Sequence, residues 1–308
     1  MQPASSAIFA PPHHAARKTA SGRFSMSVRT SLLVILSLFI LGLLGLAALN
    51  LGTAWSQMTA AKAMRMNNDI GNLFLDSAGN LAAERGVTNA VLGSPDIASD
   101  EVRRRIADLR SKADSALEAG LAAVEAESSF NGRDALVAKV RTDRDALAAL
   151  RRDVDAQLAL AGPERNTSIA ANWVPASTAL IMSSQQLRTA AQVIPTSALA
   201  RTQIMLDLKH ATWVMSEYAG RERATIGGVI ARRATIDAAT LSRLAEFRGR
   251  LEQSWSLVES YAARDSANPL VVQAVAAARK EFFGTFQVAR DKVYSAGGMG
   301  MPYPLTAE

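Results

Sequence analysis

An uninterrupted apolar run from Ser31 to Leu51 constrains the fold of this chain more than any other feature. It reads SLLVILSLFILGLLGLAALNL and contains no charged side chain. A bilayer core needs about 20 apolar residues in a helix, and a soluble core helix is rarely apolar on every face. A cleaved signal peptide has a shorter apolar region, of about 7–15 residues. Because the exit at Leu46–Asn50 is also a poor cleavage site, we predict an uncleaved transmembrane helix over residues 29–52.

The charges on either side of this run predict its orientation. Arg17, Lys18, Arg23 and Arg29 precede the run without any acidic residue, whereas the first charge beyond it is Lys62. Lys and Arg are enriched on the cytoplasmic side of membrane spans. We therefore expect a cytoplasmic tail over 1–28, which is rich in Pro, Ala and Ser and predicted to be disordered. The remainder of the chain should lie outside the cytoplasm.

Composition indicates an all-α protein. Alanine, leucine, arginine and valine dominate, aromatic residues make up 6%, and no segment alternates polar and apolar residues as a strand would. The chain has no cysteine, which excludes disulfides and thiolate zinc sites. Apart from the four basic residues before the span, the chain has 30 basic and 28 acidic residues. This balance disfavours a nucleic-acid-binding surface, which needs a concentrated basic face.

Helix caps and breakers divide residues 53–300 into helices that should pack as an antiparallel bundle. Ser99 or Asp100, Asp237 and Asn268 are suitable N-caps, and Pro269 follows at a first helical position. An irregular stretch is expected around Asn172, Trp173 and Pro175, and the last helix should end before Gly297–Gly298. Short loops favour antiparallel neighbours. The second helix carries an apolar stripe at helical spacing that should face the core: Val102, Ile106, Leu109, Ala113 and Leu117.

The chain also resembles itself at an offset of 138 residues. Glu84-Arg85 falls on Glu222-Arg223, and the segment IADLR at 106–110 falls on LAEFR at 244–248. Each copy is a long helix that ends soon after Glu-Arg, followed by a short loop and an amphipathic helix. We predict two pseudo-repeated hairpins that pack about a pseudo-twofold axis, which would bring corresponding positions close together.

No constellation of catalytic residues is present. His210 is the only histidine of the outer part, and no phosphate-binding loop or dinucleotide fingerprint occurs. We predict that the protein is not an enzyme and that it has no cofactor and no metal site.

The two Glu-Arg pairs are the exception among otherwise ordinary charged residues. Each lies in an apolar segment with small neighbours, so Arg85 and Arg223 could reach inward and hold a small anion between them. A guanidinium is always charged and its fork matches planar oxyanions. Glu84 and Glu222 would orient the arginines or balance their charge. The alternative is an ion-pair network across the bundle with no ligand.

The motifs LAAERGVTNAVL at 81–92 and GRERATIGGVI at 220–230 resemble the nitrate- and nitrite-sensing (NIT) domain. The resemblance spans about residues 65–300, although Ala224 replaces the glycine that follows Glu-Arg in the first motif. It implies an all-helical sensor, as in the N-terminal part of bacterial methyl-accepting chemotaxis proteins. It also implies that Arg85 and Arg223 contact nitrate or nitrite.

Together with the predicted membrane topology, this resemblance implies a function. We expect the sensor region of a chemoreceptor-like protein in the bacterial inner membrane, with residues 53–308 periplasmic and a homodimeric assembly. Anion binding would shift a helix that continues into the membrane. Residues 301–308, MPYPLTAE, resemble the approach to a further helix, so we expect the front part of a receptor. The alternative is a membrane-tethered structural or protein-interaction module without a small ligand.

Overall fold

The computed structural model describes residues 27–192 and 199–306. Helices make up 86% of the described residues, which contain no strand. This confirms the all-α prediction. The tail expected over residues 1–28 lies almost wholly outside the described residues, as does the end of the segment at 301–308.

Eight α-helices form the described part of the chain: α1 Val28–Gly93, α2 Asp100–Glu127, α3 Arg133–Leu158, α4 Thr167–Ala190, α5 Leu199–Ala231, α6 Ala238–Ala262, α7 Pro269–Lys280 and α8 Phe286–Met299. A short 3₁₀ turn, Gly162–Glu164, precedes α4, and a π-helical turn, Glu281–Thr285, joins α7 to α8. The chain separates into two compact units, Met1–Trp55 and Ser56–Glu308.

The first unit contains the apolar run. Its leucine, isoleucine, valine and phenylalanine side chains are almost all exposed on the surface of the unit. Among the described residues, α1 is the one helix that is long and apolar enough to cross a membrane, as judged by length and composition. An apolar surface of this kind calls for a lipid or protein environment rather than water.

The N-caps predicted from the sequence form at the expected places. The Ser99 hydroxyl accepts a hydrogen bond from the Val102 amide at 3.3 Å, and Asp237 Oδ1 accepts one from the Thr240 amide at 2.7 Å. Asn268 caps α7 in the same way. These contacts satisfy amide groups that have no partner within a helix and so fix where α2, α6 and α7 begin.

Two expectations about helix boundaries are wrong. The stretch around Pro175 is regular helix within α4, because the indole of Trp173 is fully buried and donates to the carbonyl of Arg85 at 3.1 Å. That anchoring outweighs the single backbone hydrogen bond that a proline removes. The last helix is divided by the π-helical turn and continues through the two glycines to Met299. It ends at Gly300, whose φ of +66° is left-handed.

The second unit has a large core among α1 to α4 and a smaller one among α5 to α7. Phe74 of α1 lies in the large core over Gly120 of α2, where a methyl group would stand 3.2 Å from the ring. Ile106, Ala113 and Leu117 are buried, which confirms the stripe on α2. The smaller core is built on four buried side chains: Ala211, Trp255, Val258 and Val275. Glu84-Arg85 lies on α1, which contributes to the large core, and Glu222-Arg223 lies on α5, which contributes to the smaller one.

Candidate functional site

Glu84 lies buried on α1 and binds two arginines from the following helices. Its carboxylate accepts from Arg151 of α3 at 2.9 and 2.5 Å and from Arg110 of α2 at 3.1 Å. Arg151 also binds Asp114, and Arg110 also binds Asp155. Burial alone would lower the pKa of Arg110, but the hydrogen bonds that Arg110 donates to Asp155 and Glu84 outweigh this effect and raise that pKa. Glu84 thus joins α1 to α2 and α3.

Glu222 plays a comparable part on α5. Its Oε1 accepts from Nε of Arg290 at 2.5 Å and from the hydroxyl of Tyr294 at 2.5 Å, both on α8. Burial, together with the hydrogen bond to this carboxylate, raises the pKa of Tyr294 because the phenolate would be both desolvated and repelled. The acids of the two pairs therefore bind residues of later helices in their own halves of the chain.

Arg85 is fully buried and is held by α4 and α5. Its guanidinium donates to both carboxylate oxygens of Glu217, with Nη1 2.9 Å from Oε1 and Nη2 3.3 Å from Oε2. Nη1 also donates to the hydroxyl of Thr178 at 2.9 Å. Nε is buried without a hydrogen-bond partner. This arginine thus carries one free buried donor beside a carboxylate held in its fork.

Glu217 is shared between two arginines. Its Oε1 also accepts from Nε of Arg221 at 2.7 Å, one turn along α5. The guanidinium of Arg221 lies over the ring of Tyr218, 4.7 Å from the ring centroid, and its Nη2 is buried without a partner. Glu217 is therefore the acidic centre of a site that the sequence analysis did not single out.

Arg223 is exposed and lies across the same helix pair. A methyl group placed at Gly86 of α1 would stand 3.8 Å from Nη2 of Arg223. In the opposite direction, one placed at Gly220 of α5 would stand 3.4 Å from Nη2 of Arg85. Each arginine therefore reaches the backbone of the other's helix at a glycine. The structure brings both predicted arginines to the α1–α5 interface.

The charges at this interface do not balance. Arg85 and Arg221 both bind the carboxylate of Glu217, whereas Glu222 is engaged by Arg290. One positive charge of this pair is therefore left over in a partly buried place, where electrostatic interactions are screened less than at the surface, and Arg223 adds an exposed positive charge nearby. A small anion would offset this excess.

A groove between α1 and α5 lies beside Glu217. It has a volume of about 340 Å³, and it is lined by Leu75, Ala78, Gly79, Ala82, Lys209, Thr212, Trp213, Ser216 and Glu217. A larger cleft of about 750 Å³ lies where α1 and α5 end and includes Arg165. Arg165 donates to the carbonyls of Val91 and Ser94 and so caps α1. The smaller groove is the one lined by Glu217, the carboxylate that binds Arg85.

Comparison with known families identifies the family of this chain. Residues 76–295 match the family described as nitrate and nitrite sensing. The match covers more than two thirds of the chain and includes both Glu-Arg motifs. The chain belongs to the nitrate- and nitrite-sensing family. No curated protein and no solved structure gives a significant match. The family consists of sensor domains rather than enzymes, and its match begins after the apolar run.

Some residues of the site could have been found in the sequence. Arg151 occupies a position within an apolar stripe on α3, together with Leu147, Val154 and Leu158, all of which are buried. An arginine at a core position of such a stripe implies a buried acid. The pairing of Arg85 with Glu217 has no such signal, because the two residues are 132 positions apart and meet only through packing.

Breaking the Glu84 network should destabilise the fold. We expect Arg151→Met to lower the free energy of unfolding by about 3–5 kcal/mol, because it removes the main partner of a buried carboxylate. Arg141→Met is the matched control, since Arg141 forms an exposed pair with Glu125 and its loss should cost no more than about 1 kcal/mol. Denaturant titration followed by circular dichroism measures both. Equal effects of the two substitutions would contradict the role assigned to Glu84.

Proposed function

We propose that this chain is the sensor region of a chemoreceptor-like bacterial membrane protein, and that it binds nitrate or nitrite between α1 and α5. One observation carries the proposal. At the family's first motif, the buried fork of Arg85 already holds a planar oxyanion, the carboxylate of Glu217. Nitrate and nitrite present oxygens to a guanidinium in much the same geometry.

Arg85 and Arg223 are the proposed anion contacts. Arg85 offers a buried Nε without a partner, and Arg223 approaches from the other helix at Gly86. Glu84 and Glu222 support the site indirectly, because their ion pairs fix the helices on which the arginines lie. A bound anion would compete with Glu217 for Arg85, and Glu217 would then keep Arg221 as its partner.

Anion binding at this interface offers a simple route to a signal. α1 is one continuous helix that contains Arg85 and also the apolar run. Replacing the Arg85–Glu217 pair with an anion bridge between Arg85 and Arg223 would change how α1 packs on α5. We propose that this shift is passed along α1 toward the membrane in a homodimeric receptor.

We also propose that the two halves of the domain descend from one helical unit. α1 and α5 end 138 residues apart, at Gly93 and Ala231, and α2 and α6 begin 138 residues apart, at Asp100 and Ala238. In each half the glutamate of the motif binds an arginine of a later helix, Arg151 for Glu84 and Arg290 for Glu222. Such a duplication would account for two equivalent arginines at one interface.

Direct titration tests the anion site. We expect nitrate to bind the full chain in detergent micelles at micromolar to millimolar concentration, and Arg223→Ala to weaken binding at least about tenfold. Because Arg223 is exposed, its removal should leave the fold intact. Arg104→Ala, an exposed arginine of α2, is the control. Calorimetry at constant ionic strength measures the affinities. No heat of binding from a fully helical sample would favour the alternative, a tethered structural or interaction module.

The competing role of Glu217 gives a separate test. We expect Glu217→Gln to tighten nitrate binding about tenfold. The neutral amide binds Arg85 less strongly than the carboxylate does, and the loss of the negative charge makes the site more positive. Glu118→Gln is the control, because Glu118 belongs to an ion pair that is largely exposed. Weaker nitrate binding by Glu217→Gln than by the control would show that the carboxylate positions Arg85 for the anion rather than competing with it.

The membrane orientation can be tested with single cysteines, since the natural chain has none. Ser115 lies exposed on α2, and we propose that this helix is periplasmic. An impermeant maleimide should therefore label Ser115→Cys in intact spheroplasts, and should label Ser21→Cys only after permeabilisation, because we place residues 1–28 in the cytoplasm. The reverse labelling pattern would overturn the orientation.

A further inference from the structure

Arg188 of α4 is a second buried arginine, and it differs from Arg85 in its partners. Its side chain is only 1% exposed. Nε donates to Oε1 of Gln185 at 2.5 Å, Nη2 lies 3.1 Å from Nδ1 of His210, and the guanidinium carbon lies 6.0 Å from the ring centroid of Trp213. Nη1 is buried and has no hydrogen-bond partner. All of these partners are neutral or aromatic groups.

The positive charge of Arg188 thus lacks a carboxylate within the described part of the chain. Arg85 and Arg151, which are similarly buried, each bind a glutamate. The undescribed segment 193–198, VIPTSA, contains no acidic residue that could serve. A buried charge without a counter-charge destabilises the folded state, and burial lowers the pKa of Arg188. A group from outside the chain would remove this cost.

Lys209 places another cation beside Arg188. Its Nζ donates to the amide oxygens of Asn68 and Asn72, at 2.9 and 2.6 Å, rather than to an acid. It can approach α1 because Gly71 has no side chain, and a methyl group there would stand 3.6 Å from Nζ. Burial and then the charge of Arg188 lower the pKa of Lys209. Arg188 and Lys209 therefore lie close together, and both donate hydrogen bonds only to neutral acceptors.

His210 completes the cluster on α5. Because a guanidinium only donates hydrogen bonds, Nδ1 of His210 accepts from Arg188 and the proton of the neutral ring lies on Nε2. Burial and the charge of Arg188 lower the pKa of His210, which keeps the ring neutral. Asp69, Asp76 and Asp207 lie near enough to act on Lys209 or His210 through space, but none of them forms an ion pair with the cluster.

The groove of about 340 Å³ lies beside this cluster, and Lys209 is the member of the cluster that lines it. Lys209 and Trp213 line it, and the ring of Trp213 also lies against Arg188. The facing wall on α1 consists of Leu75, Ala78 and Ala82. A ligand in this groove would therefore meet Lys209 at one end, with Arg188 behind Trp213, a hydrophobic wall along its length, and the carboxylate of Glu217 at the other end.

We propose that Arg188, Lys209 and His210 form a second binding site, for a small monocarboxylate whose carboxylate neutralises Arg188 and Lys209 while its short apolar chain lies in the groove. The arginine fork and the lysine supply charge-assisted hydrogen bonds. Leu75, Ala78, Ala82 and Trp213 supply the apolar contact. This site does not involve Arg85 or Arg223 and does not depend on nitrate binding.

Propionate is the probe that tests this site. The full chain in detergent micelles is titrated calorimetrically with sodium propionate against sodium chloride of equal ionic strength. We expect binding by the natural chain and equal binding by Arg223→Ala, which removes an anion contact only from the other site. Arg188→Gln should abolish it. Lys209→Gln, at a half-buried position, should weaken it about tenfold, the effect of one charge-assisted hydrogen bond. Arg104→Gln is the control.

The outcomes separate this proposal from the nitrate site. Absence of propionate binding, or propionate binding unchanged by both Arg188→Gln and Lys209→Gln, would overturn the carboxylate site, whatever nitrate does. Should Arg188→Gln fail to fold, Lys209→Gln alone decides. Nitrate binding that is lost in Arg188→Gln and kept in Arg223→Ala would show an inorganic anion in this cluster and would also refute the carboxylate assignment. Loss of nitrate binding in Arg223→Ala alone bears only on the first site.

Discussion

The structure depends on two oppositely charged neighbours, Glu84 and Arg85, that are both buried on α1. Successive residues on a helix point about 100° apart, so the two side chains face different sets of helices. Glu84 binds Arg110 and Arg151 of α2 and α3, whereas Arg85 binds Thr178 and Glu217 of α4 and α5. Each buried charge costs several kcal/mol unless it is paired. This requirement ties α1 to four helices at one level of the bundle.

The two sides of α1 differ in how easily their ion pairs could be exchanged. Glu84 is held by two arginines, each of which also binds an aspartate, so four charged partners would have to rearrange together. Arg85 is opposed by one carboxylate, and that carboxylate has a second arginine to bind. In the proposed mechanism, a small anion would take the place of Glu217 at Arg85 and Glu217 would keep Arg221, whereas the Glu84 network would keep the fold in place.

Membership of the nitrate- and nitrite-sensing family agrees with this division but does not explain every buried cation. Arg188 meets amide, imidazole and indole groups where Arg85 meets a carboxylate. The groove between α1 and α5 extends from Lys209 to Glu217, so the two arginine sites flank one surface. Ligands at the two proposed sites would lie against the same helix pair but would bind different residues.

The sequence by itself determined the elements of this protein. The apolar run, the caps at Ser99 and Asp237 and the stripe on α2 rest on local periodicity and local hydrogen bonds, and the family followed from two short motifs. Local rules failed at Pro175 because a buried tryptophan overrode them. Only the tertiary structure decided which charges meet. The pairing of Arg85 with Glu217, and the lack of an acid for Arg188, depend on helix packing between residues distant in sequence. Coulombic attraction joins charges that are close in space, however far apart they are in sequence. Sequence patterns report only on residues that are near one another along the chain.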